Sequence, residues 1–272
     1  MRAAVLGRPV GHSLSPVLHT AAYRALGLDW TYTAIDCGED ELAGTLAGLG
    51  PDWAGLSLTM PLKRVALALA DDVDPLAAAV GAANTLVLGR RRVAYNTDVA
   101  GIADALREAG LTAPRSAVLL GAGGTAQAAL AALATLGVRE PVVLVRDPGR
   151  AGPLRETAAR LGLAIDLRAG LPGPVPDADL VVSTLPAGAA DALTPPGTAV
   201  LDVIYAPWPT RFAAAAAGRG ATVVGGLAML LHQAAAQVEL MTGRAAPVEA
   251  MRSALADAIR AGTEKPAARP AT

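Results

Sequence analysis

Short apolar runs alternate with segments of helical spacing along the first part of the chain. Residues 3–7 (AAVLG) read as a buried strand. Residues 15–28 (SPVLHTAAYRALGL) read as a helix, with Ser15 as the expected N-cap and Pro16 at the first helical position. Residues 30–36 (WTYTAID) are β-branched and aromatic, 39–50 (EDELAGTLAGLG) read as a helix ended by glycine, 54–59 (AGLSLT) as a strand and 62–72 (LKRVALALADD) as a helix. Residues 84–89 (NTLVLG) and 91–96 (RRVAYN) form a hairpin-like pair. The rhythm then restarts. A helix over 99–111 leads into strand-like runs at 116–121, 141–146, 163–168, 179–184 and 197–203, with helical segments between them. Two helices, 226–243 and 247–262, close the pattern with no strand between them.

Strands alternating with helices predict α/β architecture with largely parallel sheets. The second series forms a self-contained doubly wound unit. The two closing helices have no strands of their own and are expected to pack back on the first unit. The expected division is therefore a discontinuous N-terminal domain, 1–100 plus 226–262, with a mixed, mainly parallel sheet, and a Rossmann-type domain over 101–225. Residues 263–272 (TEKPAARPAT) read as a flexible tail.

Composition narrows the class. In 272 residues, 53% are hydrophobic and 17% charged, the balance of a globular chain with a real core. A net charge of −1 gives no global attraction to nucleic acid or an anionic membrane, and neither is expected as a partner. The one cysteine, Cys37, excludes an intrachain disulfide and suits a reducing cytoplasm. The apolar stretch at the N-terminus is too short for a signal peptide. The uncharged window between Arg115 and Arg139 is long enough to span a membrane, but it contains GAGGT and Gln127 and reads as a strand followed by an alanine-rich helix.

That window holds the first chemical motif. Gly121, Ala122, Gly123, Gly124, Thr125 and Ala126 follow an apolar strand and open a helix. Gly121 permits the tight turn, and Gly123 lets the backbone approach a pyrophosphate seated on the helix N–H groups. The bland alternative is a tight turn in a helix-rich protein. The next strand ends in Arg146, Asp147 and, a turn later, Arg150. Arginines there favour the 2′-phosphate of NADP(H), and Asp147 opposes it, so NAD(H) stays open as a second cofactor.

The first unit offers GHSLSP at 11–16, SLTMPLK at 57–63, GAANT at 81–85 and YNTDVAG at 95–101. These are hydroxyls, amides, one lysine and one aspartate near expected strand ends, where ligands gather in open α/β sheets. His12, His19 and His232 are scattered without companion cysteines, so no metal site is expected. The set suits a small polyhydroxylated acid, with Lys63 and Asp98 as the acid–base pair. Read singly, Lys63 is a surface lysine, and Asn84 and Asp98 are turn residues.

These stretches, together with GAGGTA and the late GGLAMLLHQAA at 225–235, resemble shikimate dehydrogenases in the same order from about residue 5 to 260. The resemblance implies NADP-dependent interconversion of shikimate and 3-dehydroshikimate in aromatic amino acid biosynthesis. It implies that Ser13 and Ser15 hold the substrate carboxylate, that Thr59 and Asn84 bind hydroxyls, and that Lys63 and Asp98 are catalytic. It puts Gln233 and Tyr205 against the substrate and Val203, Gly226 and Met229 beside the nicotinamide. Ser57 stands where asparagine is common, so its substrate contact is lost or bridged by water. Ala228 stands where glycine is common, and His12 is assigned to packing. Quinate/shikimate and aminoshikimate dehydrogenases share nearly every motif. A non-catalytic dinucleotide sensor is the rival from another class, against which the retention of both Lys63 and Asp98 argues. A monomer or a homodimer is expected.

Overall fold

The computed structural model of the chain describes residues 1–171 and 173–263. The tail expected at 263–272 lies, beyond Thr263, outside the described residues. The strands are β1 (Arg2–Gly7), β2 (Thr31–Asp36), β3 (Trp53–Leu58), β4 (Asp72–Val73), β5 (Thr85–Val87) and β6 (Val93–Tyr95), then β7 (Ala117–Leu120), β8 (Val142–Val145), β9 (Asp166–Ala169), β10 (Leu180–Ser183), β11 (Ala199–Asp202) and β12 (Val223–Gly225). The first sheet has the order β2-β1-β3-β5-β6-β4. Its β1 pairs in parallel with β2 and β3, whereas β5 is antiparallel to β3 and β6. The second has the order β12-β11-β10-β7-β8-β9, with every pairing parallel. Chain order reverses between β7 and β10, which opens a crevice at the carboxyl ends of those strands. The α/β expectation of a mixed sheet and a doubly wound parallel sheet is met.

The physical reason lies in the apolar runs. Residues 117–120 and 180–183 are buried at every position, as central parallel strands covered on both faces require. The helices are α1 (Ser15–Ala25), α2 (Leu42–Ala47), α3 (Val65–Leu69), α4 (Pro75–Val80), α5 (Asp98–Glu108), α6 (Gly124–Thr135), α7 (Gly152–Arg160), α8 (Arg211–Gly218), α9 (Gly226–Thr242) and α10 (Val248–Thr263). Local expectations need correction, and the helix expected over 39–50 is confined to Leu42–Ala47. Ser15 is the first residue of α1 rather than its cap: Leu14 takes the cap position, Ser13 Oγ accepts the Ser15 N–H at 3.3 Å, and Pro16 moves to the second position. The helix expected over 62–72 shrinks to Val65–Leu69; at its far end Asp72 instead pairs, together with Val73, as an edge strand with β6. The uncharged window resolves into β7 and α6, and among the described residues no helix is long and apolar enough to cross a membrane.

Helices α9 and α10 pack on α1 through Leu18, Ala22, Leu231, Ala234, Val238, Met251 and Leu255. Helix α5 meets α9 closely enough that a Cβ on Gly101 would lie 2.8 Å from both Gln233 Cβ and the Met229 carbonyl oxygen. A polar strut ties the two sheets. Gln127 on α6 donates to the Val80 carbonyl at the end of α4 (3.0 Å) and to Thr157 on α7 (2.8 Å), and accepts from Arg64 (3.2 Å). Thr157 also donates to the Val80 carbonyl, at 2.8 Å.

The α5–α9 contact yields a test. Gly101→Ala is expected to lower unfolding free energy by about 1–3 kcal/mol, the cost of overpacking a tight contact, as read by urea denaturation. An unchanged midpoint would mean that the two helices separate without cost.

Candidate active site

Strand β3 is buried at all six positions, and it ends by projecting Thr59 and, after Met60 and Pro61, Lys63. Leu62, fully buried, anchors the turn, and the Lys63 carbonyl accepts the Ala83 N–H at 2.7 Å. The lysine is thereby aimed at α5. Its Nζ donates to Asp98 Oδ2 at 2.5 Å, with the lysine side chain 21% exposed and the aspartate 5%. Asp98 opens α5, and its own N–H is held by Asn96 Oδ1 at 3.1 Å. Its second oxygen, Oδ1, accepts from Asn84 Nδ2 at 2.8 Å. Removing the lysine would leave the nearly buried Asp98 carboxylate uncompensated, which costs far more than a surface pair returns.

The pair opens into a cleft of about 280 Å³ between the two sheets. Every residue expected at the substrate lines it: Ser13, Ser15, Ser57, Thr59, Lys63, Asn84, Asp98, Tyr205 and Gln233. Thr125, Val203, Gly226 and Met229 line its other side. Gln233 is buried on its helix, and its Oε1 accepts from Asn84 Nδ2 at 3.4 Å. Val203 and Tyr205 ride on a loop fixed by Asp202, whose buried carboxylate accepts from Thr210 Oγ1 at 2.7 Å and from the Ile204 N–H at 3.2 Å; burial raises its pKa. Gly226 has a backbone reason to be glycine, since a Cβ there would meet the Val203 carbonyl oxygen at 2.1 Å.

Gly121, Ala122, Gly123 and Gly124 form the β7–α6 turn. Gly121 has φ +108°, which only glycine adopts without strain. A Cβ on Gly123 or Gly124 would meet nothing within 4 Å, so the N-terminus of α6 faces open space. Unpaired N–H groups facing a cradle of that kind fit a pyrophosphate. Arg146 and Arg150 are exposed after β8 and, among the described residues, have no ion-pair partner. Asp147 between them caps a short 3-10 turn, its Oδ1 accepting from the Gly149 N–H at 2.9 Å.

Three features were not legible beforehand. His12, assigned to packing, is exposed and lines the cleft, because the turn before α1 faces the opening rather than the core. Gln237, one turn beyond Gln233, also reaches the cleft. Beneath it lies a buried cluster. Gln237 Oε1 accepts from Ser57 Oγ at 2.7 Å and pairs with His19 Nε2 at 3.1 Å, and Tyr32 donates to Ser57 at 2.6 Å. His19 stacks on Tyr32 with ring centroids 4.0 Å apart. Its Nδ1 lies 3.4 Å from the Tyr23 hydroxyl, and its Nε2 meets the Gln237 oxygen, which can only accept and so puts a proton on Nε2. Burial lowers the His19 pKa to about 4, against a smaller opposing effect of the Gln237 hydrogen bond. Burial pushes the Tyr32 phenol upward. Among the described residues no His, Cys, Asp and Glu group is arranged to hold a metal ion.

A glycine turn opening a helix in a parallel sheet, facing a lysine–carboxylate pair across a cleft of hydroxyls and amides, defines a dinucleotide-dependent oxidoreductase acting on a small hydroxylated compound. Comparison with known proteins narrows the class. Residues 5–86 match the shikimate dehydrogenase substrate binding domain, and residues 226–256 match the shikimate 5′-dehydrogenase C-terminal domain. The shikimate dehydrogenase (NADP(+)) of Moorella thermoacetica is 42% identical over 282 residues, covering 97% of this chain and 96% of that protein. The crystal structure of Mycobacterium tuberculosis shikimate dehydrogenase has a TM-score of 0.84 and 46% identity, covering 94% of this chain and 99% of that one. The Thermus thermophilus shikimate 5-dehydrogenase, solved in complex with NADP(H) and shikimate, has a TM-score of 0.82 and 35% identity, covering 95% of this chain and 99% of that one. The chain belongs to the shikimate dehydrogenase family.

The buried imidazole generates a pH test. From about pH 6.5 down to about pH 4, the unfolded chain binds a proton at His19 that the folded chain excludes. Stability at this site is therefore complete above pH 6.5 and declines as pH falls, by about 1.4 kcal/mol per pH unit. His19→Gln is expected to be less stable at pH 7 yet to lose less stability than the wild type between pH 7 and pH 4.5 in urea titrations. Equal losses in the two proteins would show that His19 is not held neutral.

Proposed function

We propose that this chain is an NADP-dependent shikimate dehydrogenase in which Lys63 and Asp98 are the acid–base pair. The observation that carries the reading is the 2.5 Å contact between Lys63 Nζ and Asp98 Oδ2 at the floor of a cleft shared by both sheets. Membership in the family supports the reaction, and the crowding of hydroxyls and amides around the lysine supports the substrate class. The polar lining suits a ring acid with several hydroxyls. Ser13 and Ser15, at the mouth of α1, hold its carboxylate. Thr59 and Asn84 take ring hydroxyls, with Gln233, Tyr205 and Ser57 closing the remaining sides. Residues 1–100 with 226–262 act as the substrate unit and 101–225 as the dinucleotide unit.

In the reducing direction, Lys63 Nζ gives a proton to the carbonyl oxygen of 3-dehydroshikimate as that carbon is reduced. In the oxidising direction it takes the proton from the hydroxyl. Asp98 holds the ammonium in place and balances its charge. NADP(H), when bound, supplies or accepts the hydride. The residues that would hold it are the 121–125 turn at the start of α6, with Arg146 and Arg150 for the 2′-phosphate and Val203, Gly226 and Met229 beside the reactive ring. Asp147 is tied to its own turn, which weakens its opposition to the phosphate. The reaction is a cytoplasmic one, carried out by a monomer or homodimer.

The deciding assay is NADPH formation by the purified chain with shikimate, then with quinate; failure with shikimate rejects the reading. Lys63→Ala is expected to lower kcat for shikimate about 10²–10⁴-fold, the range for losing a positioned acid–base group, with a much smaller effect on KM. Retention of more than half of the wild-type kcat would remove Lys63 from the mechanism. Arg146→Ala is expected to cost the NADP reaction about 1.5–3 kcal/mol in kcat/KM and to leave the NAD reaction nearly untouched. Equal losses with both cofactors would mean that the arginine supports the loop or the adenine rather than the phosphate.

A further inference from the structure

We infer that Gln237 is a positioning residue for the Lys63–Asp98 pair, acting through Thr85 and Asn84 to fix which way the Asn84 amide points. This rests on the proposed roles of Lys63 and Asp98 and adds a residue to them. Gln237 lies on α9, only 1% exposed, and all of its polar capacity is engaged. Its Oε1 faces Ser57 Oγ (2.7 Å) and His19 Nε2 (3.1 Å). Its Nε2 donates to Thr85 Oγ1 (3.0 Å) and to the Asn84 backbone carbonyl (3.2 Å).

Donor and acceptor bookkeeping sets the direction of every link. The Asn84 backbone carbonyl can only accept, so the Gln237 NH₂ must face it and Thr85, and the Gln237 oxygen faces Ser57 Oγ and His19 Nε2, which donate. Thr85 then receives a hydrogen on its oxygen and is left to donate its own to Asn84 Oδ1, at 2.9 Å. The Thr97 N–H reaches that same oxygen at 2.7 Å. With its oxygen held from this side, Asn84 must turn its NH₂ toward Asp98 Oδ1, at 2.8 Å. Asp98 Oδ2 is thereby kept for Lys63. Gln237 thus grips Asn84 at two points, its backbone carbonyl directly and its side-chain oxygen through Thr85. The bonds belong to a buried set in which an unpaired member is costly.

The chain of donors predicts an unusual rescue. Ionised glutamate at this position is an acceptor only. It would draw the Thr85 hydrogen to itself and leave Asn84 Oδ1 without that donor. Protonated glutamate has one acceptor oxygen and one O–H donor; it restores the donation to Thr85 and forgoes the second one, to the Asn84 carbonyl. The titratable groups facing the position are His19 from α1 and, through Ser57, Tyr32 from β2; Tyr23 lies behind His19.

The experiment compares wild type, Gln237→Leu and Gln237→Glu in NADP-linked shikimate oxidation from pH 6 to pH 9. Gln237→Leu is expected to lower kcat about tenfold, the scale of one or two lost hydrogen bonds. Gln237→Glu is expected to be impaired at pH 9, and its kcat relative to wild type should rise at least about fivefold by pH 6 as the buried carboxyl takes up a proton. A flat ratio overturns the inference. At a high level it makes Gln237 dispensable, and at a low level it makes the side chain structural only. If the wild type does not oxidise shikimate, the functional reading fails instead. The positioning is then read from hydrogen exchange of the Asn84 side-chain amide by NMR, expected to be at least about tenfold faster in Gln237→Leu; unchanged exchange overturns it. The same exchange measurement decides the case if Gln237→Glu does not fold.

Discussion

An ammonium and a carboxylate held together with little water is the constraint to which much of this molecule answers. Lys63 and Asp98 come from different elements, a turn after β3 and the first residue of α5, and are brought within 2.5 Å. Two charges removed from water are tolerated only if their remaining hydrogen-bonding positions are filled. The surroundings supply this. Asn84 takes the second carboxylate oxygen, Asn96 holds the Asp98 backbone, and Asn96 is itself anchored to the Ala82 carbonyl at 2.8 Å. The hairpin of β5 and β6 exists in the right register to deliver these amides, with Thr85 opposite Tyr95 and Leu86 opposite Ala94.

The second sheet must then be held at a fixed distance from that pair. Direct backbone pairing between the sheets is absent among the described residues, so side chains do the work. Gln127, three residues into the helix that follows the glycine turn, bonds the end of α4, and Arg64 beside the lysine bonds Gln127. The turn that fits a pyrophosphate and the turn that carries Lys63 are thus two side chains apart. Helix α9 makes a second link, leaving β12 against the Val203 carbonyl and running down to Gln233 and Gln237 under the cleft.

The architecture and most of the cleft were legible in the sequence because both depend on short-range patterns. Apolar runs of strand length alternating with helical spacing gave the two sheets. Chemistry-bearing residues clustered after those runs, as at 57–63 and 95–101, marked the carboxyl ends of strands. What escaped was set by contacts between distant segments. Gln237 sits in AAAQVEL, where an amide reads like any outward position, and its partners lie 180 residues away at Ser57 and 218 away at His19. Ser15 looked like a helix cap because serine before proline is a good local signal; the fold moved the cap by one residue and set Ser15 at the edge of the cleft. His12 lies in a motif whose Ser15 is buried, and only the path of the turn decides that His12 itself is exposed. The length of α3 was overestimated because nothing local announces that Asp72 and Val73 are claimed by a sheet edge.

Helix α9 carries residues on both sides of the cleft in one uninterrupted segment, from Gly226 beside Val203 to Gln237 beneath Ser57. At about 1.5 Å and 100° per residue, those eleven steps fix a span of about 16 Å and an angular register together. Gaining or losing a single residue between them would swing every later side chain by more than a quarter turn, and no neighbouring loop could absorb the change. The surface turns of this chain can vary in length over evolutionary time, whereas this stretch can change its letters but not its count.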